Sequence, residues 1–335
     1  MVSKLNLHSE ISKLSAKLGS DLNLIQGAGG NISWKEDNGI MWIKASGTWL
    51  AQAMEKNIFV PLKIDILKQQ LSDNTIDTDA AKALADESYS SLRPSIETSL
   101  HLVMPHKVVV HIHSINTIAY AIYKNFEQKF SALLKGYNIA FVKYARPGLP
   151  LTKEIEKTLH TKPDILILEN HGIVIGADSA KDAEKLVHEI EEKIFLMDKG
   201  IIMPDIQYIK NLIQNSNYRL PKYNEIHNIA SDEFNLGIAA KGALYPDHVV
   251  FLGSGIKLYN DSVNLTSASA PCYAISGKGM IVRNDLSIGA ELMLVALSRV
   301  LNKIHSSEGL KYLTKDQEDE LLNWDAEKYR QSLNK

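Results

Sequence analysis

The sequence predicts an α/β protein in which helices cover a β-sheet, because strand-like and helix-like segments alternate in both halves of the chain. Residues 107–113 are β-branched and alternate in character, and residues 164–168 form a more uniformly apolar strand. Residues 180–199 repeat apolar side chains at helical spacing within a charged surround, which predicts a surface helix.

The N-terminal part begins with a predicted amphipathic helix, since apolar residues recur at helical spacing from Ile11 to Leu18 and Gly19 provides a stop. A glycine-rich stretch follows at residues 27–33. Residues 40–44 then have the apolar character of a further strand.

The composition changes between residues 201 and 224, where prolines and asparagines interrupt any long element. A length of 335 residues also corresponds to about two domains of ordinary size. We therefore predict two domains, residues 1–215 and residues 222–335.

The C-terminal part repeats the alternation of strands and helices. Residues 248–252 and 279–283 are predicted strands, and residues 290–304 are a predicted helix with a buried face. Thr314 and Gln317 have the spacing of a capping box, which predicts that another helix begins there.

Composition and charge exclude several classes of protein. The chain has 37 Lys and Arg against 39 Asp and Glu, a net charge of -2, so we expect no nucleic-acid partner. Its apolar stretches are far shorter than the roughly 18 residues of a membrane span, and its start lacks a signal peptide. We expect a cytoplasmic protein. Its single cysteine, Cys272, leaves any metal site to His, Asp and Glu.

Two histidines lie in the predicted strand at residues 107–113. Because side chains alternate along a strand, His111 and His113 share one face and can bind one cation. Two hydrogen-bonded or surface histidines would give the same pattern. A third imidazole, His171, follows the strand at residues 164–168, and three histidines with an open fourth position form the ligand set of a catalytic zinc.

Glu97 is a candidate carboxylate near a predicted helix N-terminus. Pro94 suits the first turn of such a helix, and the helix dipole favours a negative charge there. A helix-capping role accounts for Glu97 equally well. His101 lies four residues further on and can pair with Glu97 on the same helix face.

The glycine-rich stretch at residues 27–33 can present backbone N–H groups to an anion. Its spacing is neither that of a P-loop nor that of a dinucleotide-binding loop, and a tight turn is the alternative. Ser46-Gly47-Thr48 is a second turn of small residues, and the two turns together favour an anion pocket.

These motifs, in this order, resemble the class II aldolase/adducin family. The resemblance rests on Gly30-Asn31-Ile32-Ser33, Ser46-Gly47, Ser95-x-Glu97, His111-x-His113 and Asn170-His171-Gly172. It covers roughly residues 7–200 and implies a three-layer α/β/α sandwich with an additional C-terminal α/β region. Members of that family usually form homotetramers.

The resemblance also implies roles for individual residues. It assigns a zinc or other divalent ion to His111, His113 and His171. It assigns acid/base chemistry to Glu97, and contact with a substrate phosphate to Gly29, Gly30, Asn31, Ser46, Gly47 and Ser95. Many aldolases of the family have Ser-Ser before the glutamate, whereas this chain has Ser95-Ile96, so one phosphate-facing hydroxyl is missing.

The C-terminal part resembles the aldolase half of bifunctional rhamnulose-phosphate aldolase/short-chain dehydrogenases, in residues 245–251, 277–279 and 322–330. The chain ends at Lys335, so we expect no dehydrogenase half. The implied reaction cleaves a ketose 1-phosphate, similar to rhamnulose or fuculose phosphate, to dihydroxyacetone phosphate and an aldehyde through a metal-stabilised enediolate. A tyrosine, Tyr144 or Tyr329, would handle the proton on the aldehyde oxygen.

Three alternatives stay open. A sugar-phosphate epimerase or dehydratase would use the same metal and similar histidines. A non-catalytic scaffold of the adducin kind would keep the fold without the ligands. Residues 222–335 would, in a third alternative, bind a separate dehydrogenase.

Overall fold

The structure is a computed structural model of the 335-residue chain, and it describes the backbone of residues 2–325 and the side chains of residues 7–325. Two compact units divide the chain. The first comprises Met1–Ala121 and Asn125–Phe195, and the second comprises Ile122–Lys124 and Leu196–Lys335.

The division at Leu196 lies a few residues before the interrupted stretch at residues 201–224. From Leu196 onward the backbone already bonds within the second unit, where the Lys199 N–H donates to the carbonyl of Asn302 at 2.9 Å. Asp205 then forms an ion pair with Lys278 at 2.9 Å. The prolines and asparagines in this stretch therefore interrupt helices without separating the units.

The first unit is built on a seven-stranded sheet in the order β3-β2-β1-β4-β7-β6-β5. Neighbouring strands are antiparallel, except that β5 and β6 are parallel. The strands are β1 (Asn31–Lys35), β2 (Ile40–Lys44), β3 (Phe59–Lys63), β4 (Val108–Ile112), β5 (Ile139–Val142), β6 (Ile165–Leu168) and β7 (Gly172–Ala177). The helices are α1 (Val2–Gly19), α2 (Ile64–Ser72), α3 (Ile76–Asp79), α4 (Thr98–Val103), α5 (Ile115–Ala121), α6 (Phe126–Leu133), α7 (Leu149–Glu156) and α8 (Ala180–Lys193).

Helices cover both faces of this sheet, which makes three layers. On one face, α1, α6 and α8 pack on a core that includes Val108, Val110 and Ile112 of β4. On the other face, residues of α4 and α7 pack with Val109. The alternation predicted for this strand is therefore confirmed, and the face shared by Val109 and the histidines lies opposite α1 and α8.

Two predicted elements of the first unit differ in extent. Helix α8 ends at Lys193 and not at residue 199, because the last buried residue of its apolar stripe is Ile194, whereas Met197 is 74% exposed. The helix after Glu97 begins at Thr98, so Pro94 lies before it and pairs as an isolated bridge with Ala45.

The second unit contains a three-stranded antiparallel sheet in the order β8-β10-β9. Its strands are β8 (Tyr218–Arg219), β9 (Cys272–Ile275) and β10 (Gly279–Arg283). Its helices are α9 (Ile206–Leu212), α10 (Asn228–Ser231), α11 (Glu233–Lys241), α12 (Pro246–Leu252), α13 (Ile288–Asn302) and α14 (Lys315–Leu322). The strand predicted at residues 279–283, the buried helix α13 and the capping box at Thr314 are confirmed.

The strand predicted at residues 248–252 is wrong, because these residues form the end of helix α12. Pro246 occupies the first turn of that helix, where its missing N–H costs nothing, and Gly253 ends it with φ of 90°. A short apolar run is compatible with either structure, and the proline was the deciding signal. Within the described residues, every helix is too short or too polar to cross a bilayer.

Candidate metal centre

Three histidines converge beside the central strand β4. His111 lies in β4, His113 follows its end, and His171 lies in the turn between β6 and β7. All three are buried, and their ligand atoms lie within 4.8 Å of one another. The Nε2 atoms of His111 and His113 are 3.2 Å apart.

The turn that carries His171 explains its neighbours in the sequence. Asn170 has a left-handed backbone with φ of 53°, which asparagine tolerates better than most residues. A Cβ on Gly172 would lie 2.5 Å from the carbonyl oxygen of Ile112. Only glycine therefore lets β7 approach the end of β4 closely enough to bring His171 to His111.

A backbone bond sets the proton position on His111. Its Nδ1 lies 3.0 Å from the carbonyl oxygen of Ile173, which can only accept, so Nδ1–H is the donor. In the neutral ring Nε2 then carries a lone pair directed at the other histidines. A backbone carbonyl bonded to the second ring nitrogen is the arrangement that orients histidine ligands of metal ions.

Glu97 lies directly before α4 and faces the three imidazoles. Its Oε2 is 3.4 Å from Nε2 of His111, and its Oε1 is 3.6 Å from Nε2 of His171. Burial alone would raise the pKa of Glu97, but the three imidazoles and a hydrogen bond from Asn31 outweigh burial and lower the pKa to about 2. The side chain is therefore a carboxylate, and no hydrogen bond from it caps α4.

The donor set fits a divalent ion. Three buried imidazole nitrogens meet one carboxylate, and Glu97 Oε1 has no hydrogen-bond partner within the part of the chain that the structure describes. A buried carboxylate oxygen rarely lacks a hydrogen-bond partner, unless an ion or a water molecule binds it. His111, His113 and His171 could hold a metal ion, with Glu97 beside it.

The two glycine turns each pack against a segment that carries a residue of this centre. Gly30 has φ of 59°, and a Cβ there would lie 2.8 Å from the carbonyl oxygen of His111, so only glycine fits against β4. Ser46 and Ser95 are brought together because the Ser46 N–H donates to Arg93 and the Ser95 N–H donates to Lys44. Gly29 donates its own N–H to Gln26 within its turn at 2.9 Å.

Asn31 bonds to both Glu97 and His101. Its Nδ2 donates to Glu97 Oε2 at 2.8 Å, and its Oδ1 bonds to Nε2 of His101. His101 in turn bonds through Nδ1 to the hydroxyl of Ser33 at 2.7 Å. Asn31 therefore stands between Glu97 and His101, where a direct pair of those two residues was expected.

Tyr144 lies two residues beyond β5. Its backbone N–H donates to the carboxylate of Glu169 at 2.9 Å. Glu169 lies two residues before His171 in the sequence. This bond joins the segment of Tyr144 to the turn that carries His171. The alternative candidate, Tyr329, lies outside the described residues.

The first unit also agrees with a family comparison. Residues 9–196 match the family described as the class II aldolase and adducin N-terminal domain. The chain belongs to the class II aldolase and adducin family. The resemblance inferred from five motifs is thereby confirmed. The sheets and helices of the two units confirm the mixed α/β fold with a further C-terminal α/β region.

Three relatives illustrate the range of this family. The chain is 30% identical to the uncharacterized oxidoreductase YuxG of Bacillus subtilis over 199 residues, which cover 55% of this chain but only 28% of that protein. It is 29% identical to an L-fuculose phosphate aldolase of Methanocaldococcus jannaschii over 182 residues, 52% of this chain and 86% of the relative. The N-terminal class II aldolase domain of a conserved Thermoplasma acidophilum protein has a TM-score of 0.48 at 24% identity, covering 55% of this chain and 90% of that domain.

Sequence reasoning missed one buried residue of this class II aldolase family member. Lys44 at the end of β2 is 2% exposed, and its Nζ donates to the carbonyls of Ala28 and Thr48, each at 2.8 Å. The Lys44 ammonium group therefore links the two glycine turns. A lysine closing an otherwise apolar strand was the available signal, since lysine is almost never fully buried without partners.

Proposed function

We propose that the chain is a metal-dependent aldolase that cleaves a ketose 1-phosphate, of the rhamnulose or fuculose phosphate type, to dihydroxyacetone phosphate and an aldehyde. The observation that carries this proposal is the convergence of three buried imidazole nitrogens on the carboxylate of Glu97. The similarity to a protein named L-fuculose phosphate aldolase supports the substrate class.

In this proposal His111, His113 and His171 hold the ion, and Zn²⁺ is our first choice because three histidines with an open position suit catalytic zinc. When bound, the ion supplies a Lewis acid for the C2 carbonyl of the substrate and charge stabilisation for the enediolate that C3–C4 cleavage leaves. In the condensation direction the Glu97 carboxylate removes a proton from C3 of dihydroxyacetone phosphate, and in cleavage it gives the enediolate carbon the proton that the C4 hydroxyl releases.

The remaining residues orient the substrate. We assign the phosphate to the turns of Gly29, Gly30 and Gly47, with the hydroxyls of Ser46 and Ser95. Asn31, whose amide also bonds Glu97, we assign to the phosphate as well. Tyr144 is proposed to handle the proton of the C4 hydroxyl, which leaves when C3–C4 breaks and is donated back to the aldehyde oxygen in the condensation direction. Tyr144→Phe should lower cleavage without loss of metal.

We further propose that the protein works as a homotetramer in the cytoplasm, as the family resemblance implies. The first unit would carry the catalytic site and the second unit would be an accessory region. Light scattering coupled to gel filtration tests the tetramer.

The proposal is tested by metal analysis of the purified protein and by product analysis with a panel of ketose phosphates. We expect about one divalent ion per chain and C–C cleavage products. His113→Ala should lose both metal and turnover, whereas Glu97→Gln should keep the metal and lose turnover, because an amide cannot carry the proton. A metal-free native protein or full activity in both variants would refute the aldolase. An epimer or a dehydrated ketone as product would assign the related reaction instead.

A further inference from the structure

Four buried side chains beside the metal centre form a single chain of hydrogen bonds. Asn31 and Ser33 share one face of β1, two residues apart, and Glu97 and His101 lie four residues apart at the start of α4. The bonds run from Ser33 to His101, from His101 to Asn31 and from Asn31 to Glu97. Each of the four side chains is at most 4% exposed, so water does not compete for these bonds.

The chemistry of the last acceptor fixes the direction of every bond. The carboxylate of Glu97 can only accept, so the atom of Asn31 that faces it must be Nδ2. Oδ1 of Asn31 therefore faces His101, and Nε2 of His101 must carry the proton. Nδ1 of His101 is then a bare acceptor, and the hydroxyl of Ser33 donates to it. All three protons point toward Glu97.

We propose that His101 is a positioning residue that fixes the amide orientation of Asn31 and, through it, Glu97. The inference rests on the proposed role of Glu97 in proton transfer. The two ends of an asparagine amide have nearly the same shape, so the His101 N–H is what distinguishes them. Without that donor the amide can turn its oxygen toward the carboxylate, which repels it. Glu97 then loses its only described hydrogen-bond donor on Oε2, and Oε1 is no longer held toward His171.

The test compares His101→Leu with His101→Gln. Leucine offers no polar atom, whereas the glutamine amide carries both an N–H for Asn31 and an oxygen for Ser33. His101→Leu should lower kcat by about 10- to 100-fold, as loss of an orienting partner does, with KM and zinc affinity within about threefold. His101→Gln should recover most of kcat. Equal activity of the two variants, or a loss confined to zinc affinity, would overturn the positioning role.

A second measurement is independent of activity. In metal-free protein labelled with ¹⁵N-histidine, long-range proton–nitrogen spectra distinguish the two neutral tautomers of His101, whose signals are assigned by their absence in His101→Gln. We expect the proton on Nε2. A proton on Nδ1 would overturn the inference whatever the enzyme does. The expected tautomer in a wild-type protein that cleaves no ketose phosphate would support the hydrogen-bond direction and refute the proposed function alone.

Discussion

The buried histidines of the two units differ in what surrounds them. In the first unit, His111, His113 and His171 direct ring nitrogens at one another and at a carboxylate. In the second unit, His227 and His248 are equally buried. In the described residues, the ring of each accepts one hydrogen bond, which comes from a backbone N–H. Burial of a histidine is thus no evidence of a metal site, whereas convergence of several nitrogens on one carboxylate is.

The protonation states of the buried histidines in the second unit and of Glu97 in the first follow from this difference in surroundings. Burial is the cause that lowers the pKa of His227 and of His248 to about 4 each. Around Glu97, the three neighbouring imidazoles reverse the effect of burial and lower the pKa of the carboxyl to about 2. The second unit therefore keeps neutral histidines for packing, and the first combines imidazoles with a negative charge, as a cation site requires.

The largest expected difference concerns zinc affinity in His113→Ala and in the matched variant His227→Ala. Structural zinc sites bind their ion with a free energy of about 10–16 kcal/mol, to which only a few ligands contribute. Loss of one ligand should therefore weaken zinc binding by about a thousandfold. His227→Ala should leave affinity within about twofold. Competition with a fluorescent chelator measures both. Similar affinities in the two variants would contradict the contrast between the units.

The next largest effect concerns how the stability of the protein depends on pH. The unfolded state binds a proton at His248 below pH 6.5, whereas the folded state does so only near pH 4, so stability falls as the pH is lowered between these values. The loss at pH 4 should be up to about 3 kcal/mol for this one group. In His248→Phe the dependence of urea unfolding on pH should flatten between pH 6.5 and 4. An unchanged slope would mean that His248 is not held neutral.

Two buried lysines offer a smaller comparison. Lys44 of the first unit donates to two carbonyls, while Lys303 of the second donates to the carbonyl of Leu196 and pairs with Asp198, which is 62% exposed. Lys44→Met leaves the buried carbonyl of Ala28 and the part-buried carbonyl of Thr48 without this donor, and should lower the free energy of unfolding by about 2 kcal/mol. Lys303→Met should cost about 1 kcal/mol, because water can solvate Asp198 again. Urea titrations of both variants check the order, and the reverse order would mean that Lys44 does not join the turns.

Sequence reasoning predicted the parts that depend on local patterns. The alternation around His111 and the capping box at Thr314 each follow from neighbours a few residues away, and both are found. Helix α12 was missed because the four apolar residues 249–252 fit a strand and a helix equally, and only Pro246 distinguishes them.

The bonds inside the site were harder to predict because they join distant segments. Asn31 and Glu97 are 66 residues apart, and nothing local to either indicates that this amide would bond to that carboxylate. The hydrogen bonds of Lys44 to both glycine turns likewise depend on how β2 packs. The motifs indicated which residues matter, and the fold decided which atoms they contact.

The most direct test of the metal centre is a crystal structure of the zinc-loaded protein, with anomalous diffraction measured on both sides of the zinc edge. We predict one strong anomalous peak about 2.0–2.1 Å from the Nε2 atoms of His111, His113 and His171. A peak elsewhere in the chain, or none beside these three rings in zinc-saturated crystals, would contradict the account.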